Sequence, residues 1–173
     1  MCLGNVFRMW DTYGEDPFTI RGFVEGGWET LGNADGDLSK EGSLFRLGVN
    51  DFQLEIMPNL TENDLIIFPV ILCDGKVDFS SVVFSIAKEI KKAKTALIVV
   101  GTFENVTMAE DLKSVKEHFH QIVLIDIPKS FILNNTSCLA EFSTKLVLNA
   151  ITTGACVRKG RVFKNTMINL TVR

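Results

Sequence analysis

Thr152, Thr153 and Gly154 form the stretch of this chain whose residue types and spacing best suit chemistry. They lie inside LVLNAITTGACVRKGRVFKNTMINL, Leu146 to Leu170, which gathers Arg158, Lys159, Arg161 and Lys164 before turning apolar again. Two readings fit. One is the wall of a site for an anion, with the cations offering charge-assisted hydrogen bonds to a phosphate. The other is a packed helix with a solvated basic end. Threonine hydroxyls bond back to helix carbonyls. A glycine inside a helix costs roughly 0.5–1 kcal/mol, so something is expected to approach the backbone at Gly154. Composition alone favours the packed reading, with Gly154 set closely against a sheet.

Other candidate groups are weaker. His118 and His120 make a His-x-His pair, and residues two apart share a face of a strand, but no cysteine or carboxylate stands nearby at ligand spacing. A helix-to-strand junction explains them. Glu25, Glu29, Asp35, Asp37 and Glu41 collect in one polar stretch, where an acid pair could transfer protons; a solvated acidic loop is the favoured account. No Gly-x-Ser-x-Gly elbow, dinucleotide glycine motif or phosphate-loop motif occurs. The pattern predicts no cofactor and no resident metal.

The elements that must position these residues follow from the chain's bulk and rhythm. At 173 residues it is one domain with one core, and a 46% hydrophobic, 23% charged composition is globular. A net charge of −3 argues against nucleic-acid or membrane-surface partners, which need a basic field. Lys91, Lys92 and Lys94 cluster where a helix should end, and cations suit that end of the dipole. Cys2, Cys73, Cys138 and Cys156 have no paired spacing, so free thiols and a reducing compartment are expected. The N-terminus lacks the features of an export signal, which predicts an intracellular protein.

Asp64 to Leu72, Thr95 to Phe103 and His120 to Ile127 are near-continuous aliphatic runs of strand length. Such runs indicate strands covered on both faces, as in a parallel sheet. Val82, Ile86 and Ile90 recur at helical spacing between the first two, and a long helix spans about Thr136 to Arg158. GEDPFTIRGFVEGG reads as a short helix opened by Asp16 and Pro17 and closed by Gly26 and Gly27. A second short helix, capped by Asn50 or Asp51, stops near Pro58. Nothing before Pro17 reads as a strand followed by the Gly- or Ser-rich turn at which such sheets hold ligands. The class is α/β.

The window Lys145 to Val172 resembles the closing segment of sugar isomerase (SIS) domains of the glucokinase regulatory protein and N-acetylmuramic acid 6-phosphate etherase families. Lys145, Asn149, Thr152, Thr153, Gly154, Ala155, Gly160, Val162, Asn165, Met167, Asn169 and Leu170 carry the shared pattern. TYGEDPFTIRGFVEGG and Phe52 to Leu72 resemble the regulatory family's second SIS domain more than the etherase. The resemblance implies a three-layer α/β sandwich with a mainly parallel sheet, over 1–173, lacking its first strand and the downstream lid region. It implies a regulator that binds fructose 6-phosphate or fructose 1-phosphate, pairs with a second SIS domain and inhibits glucokinase by contact, in cytoplasm and nucleus. On that reading Thr152, Thr153, Gly154, Arg158 and Lys159 border the sugar-phosphate cleft, and the helix breaks at Thr-Thr-Gly to sit beside it. The etherase Glu-Gly-x-Glu-Asp signature has no counterpart after Gly27, so catalysis is not expected.

Overall fold

A computed structural model describes residues 6–11, 19–28, 38–42, 45–72, 81–103, 112–113, 115–127, 136–158, 160, 162–163 and 166–167. One five-stranded sheet organises them, in the order β2-β1-β3-β4-β5. The three aliphatic runs become β3 (Leu65–Ile71), β4 (Lys94–Gly101) and β5 (Gln121–Asp126), paired in parallel as the sequence predicts. Alternation along the strands splits the core in two. Ile66, Phe68, Val70, Leu97 and Val99 face one side, with Phe52, Phe84 and Ile86 packed on them. Ile67, Ile98 and Val100 face the other, against Ala140 and Leu148.

The first side is covered by a helical segment and by α2 (Val82–Glu89). The segment begins as α1 (Val49–Asp51), widens to a π-turn over Phe52–Ile56 and tightens to a 3-10 turn over Met57–Asn59. Gly48 precedes its first turn, and its N–H donates to Asp51 Oδ2 at 2.9 Å. The second side is covered by α3 (Thr136–Arg158). Helix, sheet and helix make the expected three-layer α/β arrangement. Coverage on both faces holds for β3 and β4; β5 lies at the sheet's edge, and Leu124 on it is 49% exposed.

The N-terminal third departs from the sequence reading. Thr19–Val24 is a strand, β2, and β1 occupies Val6–Asp11, before Pro17. The two pair antiparallel from Val6↔Val24 to Asp11↔Thr19, and β1 joins β3 antiparallel through Arg8↔Ile67 and Met9↔Ile66. Capping signals at Asp16 and Gly26–Gly27 suggested a helix, yet Gly26 and Gly27, with φ of 82° and 60°, turn the chain out of a strand. The inward stripe of α2 is also shifted: Val83, Phe84, Ile86 and Ala87 are buried while Val82 is exposed. Pro69 is accommodated in β3 because it lies beyond the last residues paired with β1.

A buried carboxylate sets the entry to β3. Asp64, 4% exposed, accepts the Thr61 N–H at 2.7 Å and the Thr61 hydroxyl at 2.9 Å. Asp64→Ala strands both donors, and urea unfolding is expected to show a loss of about 1–3 kcal/mol.

Candidate functional site

Open α/β sheets bind ligands at the carboxyl ends of their parallel strands. Here those ends are stapled together by Thr102 Oγ1, which donates to Ile127 O at 2.9 Å, and by the Phe103 N–H, which donates to Asp126 Oδ1 at 3.1 Å. Backbone bonds Leu72 N–H to Val100 O and Ile127 N–H to Gly101 O, each 2.9 Å, continue the lattice past the last strand residues. The result is a rigid rim of Gly101, Thr102, Phe103 and the exposed Asp126. Sequence reasoning passed over these residues. The available signal was a switch from aliphatic to polar at the close of TALIVVGTF and HQIVLIDI.

The residues singled out at Thr-Thr-Gly lie instead on the last turns of α3. The helix runs unbroken through them, which corrects the expected break. Thr152 Oγ1 donates to Asn149 O at 3.1 Å, the back-bond expected of a threonine inside a helix. Thr153, Gly154 and Arg158 are exposed. Lys159, Arg161 and Lys164 lie outside the described residues. A Cβ built on Gly154 would meet nothing within 4 Å, so close helix-to-sheet packing there is not what the structure has. The sheet side of the helix is formed by Ala140, Thr144 and Leu148, with the Thr144 hydroxyl donating to Ala140 O at 2.8 Å. Gly154→Ala is therefore expected to stabilise the fold by about 0.5–1 kcal/mol, read from thermal or urea unfolding at low protein concentration.

His118 and His120 serve the junction between the segment after β4 and strand β5. The Thr95 N–H donates to His120 Nδ1 at 3.1 Å, so that nitrogen carries its lone pair, and the buried Thr95 hydroxyl donates to His118 O at 2.9 Å. The same turn and the end of α2 border a cavity of about 240 Å³, lined by Lys88, Lys91, Glu117, His118 and His120 among others. It opens at the amino ends of β4 and β5, away from the stapled rim. Among the described residues no group of three histidine, cysteine or acidic side chains is placed to hold a metal ion. Glu25 and Glu41 are described and the remaining acids of that polar stretch are not.

Parallel strands between helical layers with a stapled carboxyl rim are shared by many families, and comparison with known proteins narrows the choice. Residues 4–159 match the family model of the glucokinase regulatory protein, second SIS domain. The chain belongs to that family. Human glucokinase regulatory protein is 30% identical over 165 residues, covering 93% of this chain and 25% of the relative. The Xenopus laevis protein is 29% identical over 166 residues, with 93% and 26% covered. An N-acetylmuramic acid 6-phosphate etherase from Caldanaerobacter subterraneus is 28% identical over 161 residues, covering 92% of this chain and 46% of the enzyme. The chain thus spans about a quarter of the length of the regulatory proteins it matches. Family membership accounts for the parallel SIS core and for the layer of α3 on its second face.

Proposed function

We propose that this SIS domain is regulatory: it binds a fructose phosphate, contacts glucokinase and performs no catalysis. The observation that carries the reading is the family match over 4–159, which joins the stapled strand ends and α3 in one SIS unit. Fructose 6-phosphate or fructose 1-phosphate would lie where this domain faces a second SIS domain. Thr152, Thr153, Gly154, Arg158 and Lys159 would border the cleft, the cations attracting the phosphate. An exposed face on α3 suits this, since a ligand held between two domains needs residues that neither core consumes. On this proposal the protein works in cytoplasm and nucleus, with no nucleic-acid or membrane partner.

Calorimetric titration of the chain with each fructose phosphate, with and without glucokinase, tests it. Saturable heat with either sugar, changed by the kinase, is expected. No heat with sugar and no contact with kinase would overturn it. The etherase relatives favour one other reading, a phosphosugar lyase. An acid–base pair would be required, and enzyme-like turnover of N-acetylmuramic acid 6-phosphate by the purified chain would establish that reading instead.

A further inference from the structure

The cavity at the amino ends of β4 and β5 stands apart from both regions weighed above, since neither the stapled rim nor α3 contributes to it. Its lining has two characters. Ala87, 2% exposed, and Phe119, 7% exposed, belong to the core and make the floor, with half-buried Ile90 beside them. Lys88, Lys91, Glu117 and His120 are exposed and make the mouth. An apolar floor under a few polar groups is the general build of a small-molecule site.

The mouth favours an anion. Lys88 and Lys91 each bring a cation, and among the described residues neither is paired with an acid. Lys91 Nζ donates to Lys88 O at 2.8 Å. That bond is the ordinary work of a lysine past a helix end, and it also keeps the ammonium beside the cavity. The Lys88 ammonium has no such bond among the described residues. His120 adds a fixed donor: the Thr95 N–H donates to Nδ1 at 3.1 Å, which leaves the ring proton on Nε2, across the ring from the buried Thr95. Glu117 is the one carboxylate of the lining, and its Oε1 lies 3.6 Å from His118 Nε2. Two cations thus face one carboxylate.

Size sets the rest of the ligand. A cavity of about 150 Å³ takes up benzene. This one, at about 240 Å³, has room for such a ring with a carboxylate reaching to the mouth. A sugar's hydroxyls would be left unpaired over that floor.

We propose that this cavity binds a small amphipathic carboxylate. Its apolar body rests on Ala87, Ile90 and Phe119, and its anion takes charge-assisted bonds from Lys88 and Lys91 and a hydrogen bond from His120 Nε2. The site is independent of the fructose phosphate reading. A ligand of about ten non-hydrogen atoms in so open a site implies a dissociation constant of about 1 mM.

Amide NMR of the whole chain, titrated at neutral pH and fixed ionic strength with benzoate, acetate and benzyl alcohol, tests it. Benzoate should give saturable shifts at residues 87–91 and 117–120. Acetate lacks the body and benzyl alcohol lacks the charge, so each should bind about tenfold or more weakly. Lys88→Glu should raise the benzoate dissociation constant about tenfold. Lys92→Glu makes the same charge change at an exposed position outside the lining, and should alter it less than about twofold. Glu117→Gln, which removes the opposing charge, should tighten binding about twofold. All three positions are exposed, and the spectrum of each variant confirms its fold. Fructose 6-phosphate should leave these amides in place, and shifts from it near α3 are scored separately, so the two readings stand or fall apart. No saturable shift at the cavity, or equal losses from Lys88→Glu and Lys92→Glu, would overturn the proposal. Acetate as tight as benzoate would mean an adventitious ion only, benzyl alcohol as tight would mean an apolar dent with no anion site, and saturable shifts here from fructose 6-phosphate would make the cavity a sugar site; each sinks it.

Discussion

Replacing Phe68 with alanine is expected to cost about 3–5 kcal/mol, the upper range for a single core truncation. Phe68 sits in the middle of β3, the strand that joins the antiparallel pair to the parallel pair, and is fully buried. Its ring stands edge-on to Phe119, with centroids 5.5 Å apart and planes at 75°. Phe119 stands edge-on in turn to Phe84 of α2, at 6.2 Å and 89°. One ring therefore ties the central strand, the covering helix and the turn that launches β5. Truncation removes burial and an aromatic contact worth about 0.5–1.5 kcal/mol beyond area, and it opens a cavity whose walls are a sheet and a helix that cannot easily collapse together. Urea unfolding checks it, with the midpoint falling and the slope unchanged. A loss under about 1 kcal/mol would mean that this core relaxes around the gap, contrary to the packing described.

The parallel half of the sheet was legible because its information is local. A strand buried on both faces must be apolar at every position, and Leu65–Ile71 and Lys94–Gly101 nearly are. The antiparallel half was not legible. Thr19–Val24 contains β-branched and aromatic residues at strand-like positions, but it is flanked by Asp16, Pro17 and two glycines that mimic helix caps. What decides its state is pairing with Val6–Asp11, a contact between segments that neither reveals alone. The same limit applies to the candidate site. The Thr-Thr-Gly stretch was conspicuous because glycine is costly in a helix, which pointed to a close neighbour. Among the described residues none approaches a Cβ built on Gly154, and sequence cannot distinguish a glycine packed within its own fold from one kept small for a visitor. Thr102 and Asp126 carry the opposite lesson. Their types are common in loops, and only the parallel register brings Gly101 opposite Asp126 and so lets the two strand exits be stapled.

Gly101→Ala should cost on the order of 3 kcal/mol, because overpacking and backbone strain act together there. The residue closes β4 with φ of 159°, a conformation side-chain-bearing residues rarely adopt. A Cβ at that position would lie 2.4 Å from Leu72 Cβ and 3.0 Å from its Cγ. The nearest atom is the stiff root of a side chain that is itself only 3% exposed, so β3 and β4 must move apart for the methyl to enter. That movement reaches the rim, because Gly101 O accepts the Ile127 N–H at 2.9 Å and the Leu72 N–H bonds to the preceding Val100 O. The expected signature is thus double: a lowered urea midpoint, and faster amide exchange at Leu72 and Ile127 than the global loss explains. Leu72→Ala is destabilising alone, as a buried leucine truncation, by about 2–5 kcal/mol. Combined with Gly101→Ala it removes the atoms beyond Cβ that the new methyl approaches, so the double variant should lose less than the sum of the singles. Strict additivity would mean that the atoms beyond Leu72 Cβ take no part in the clash, which then rests on that Cβ alone.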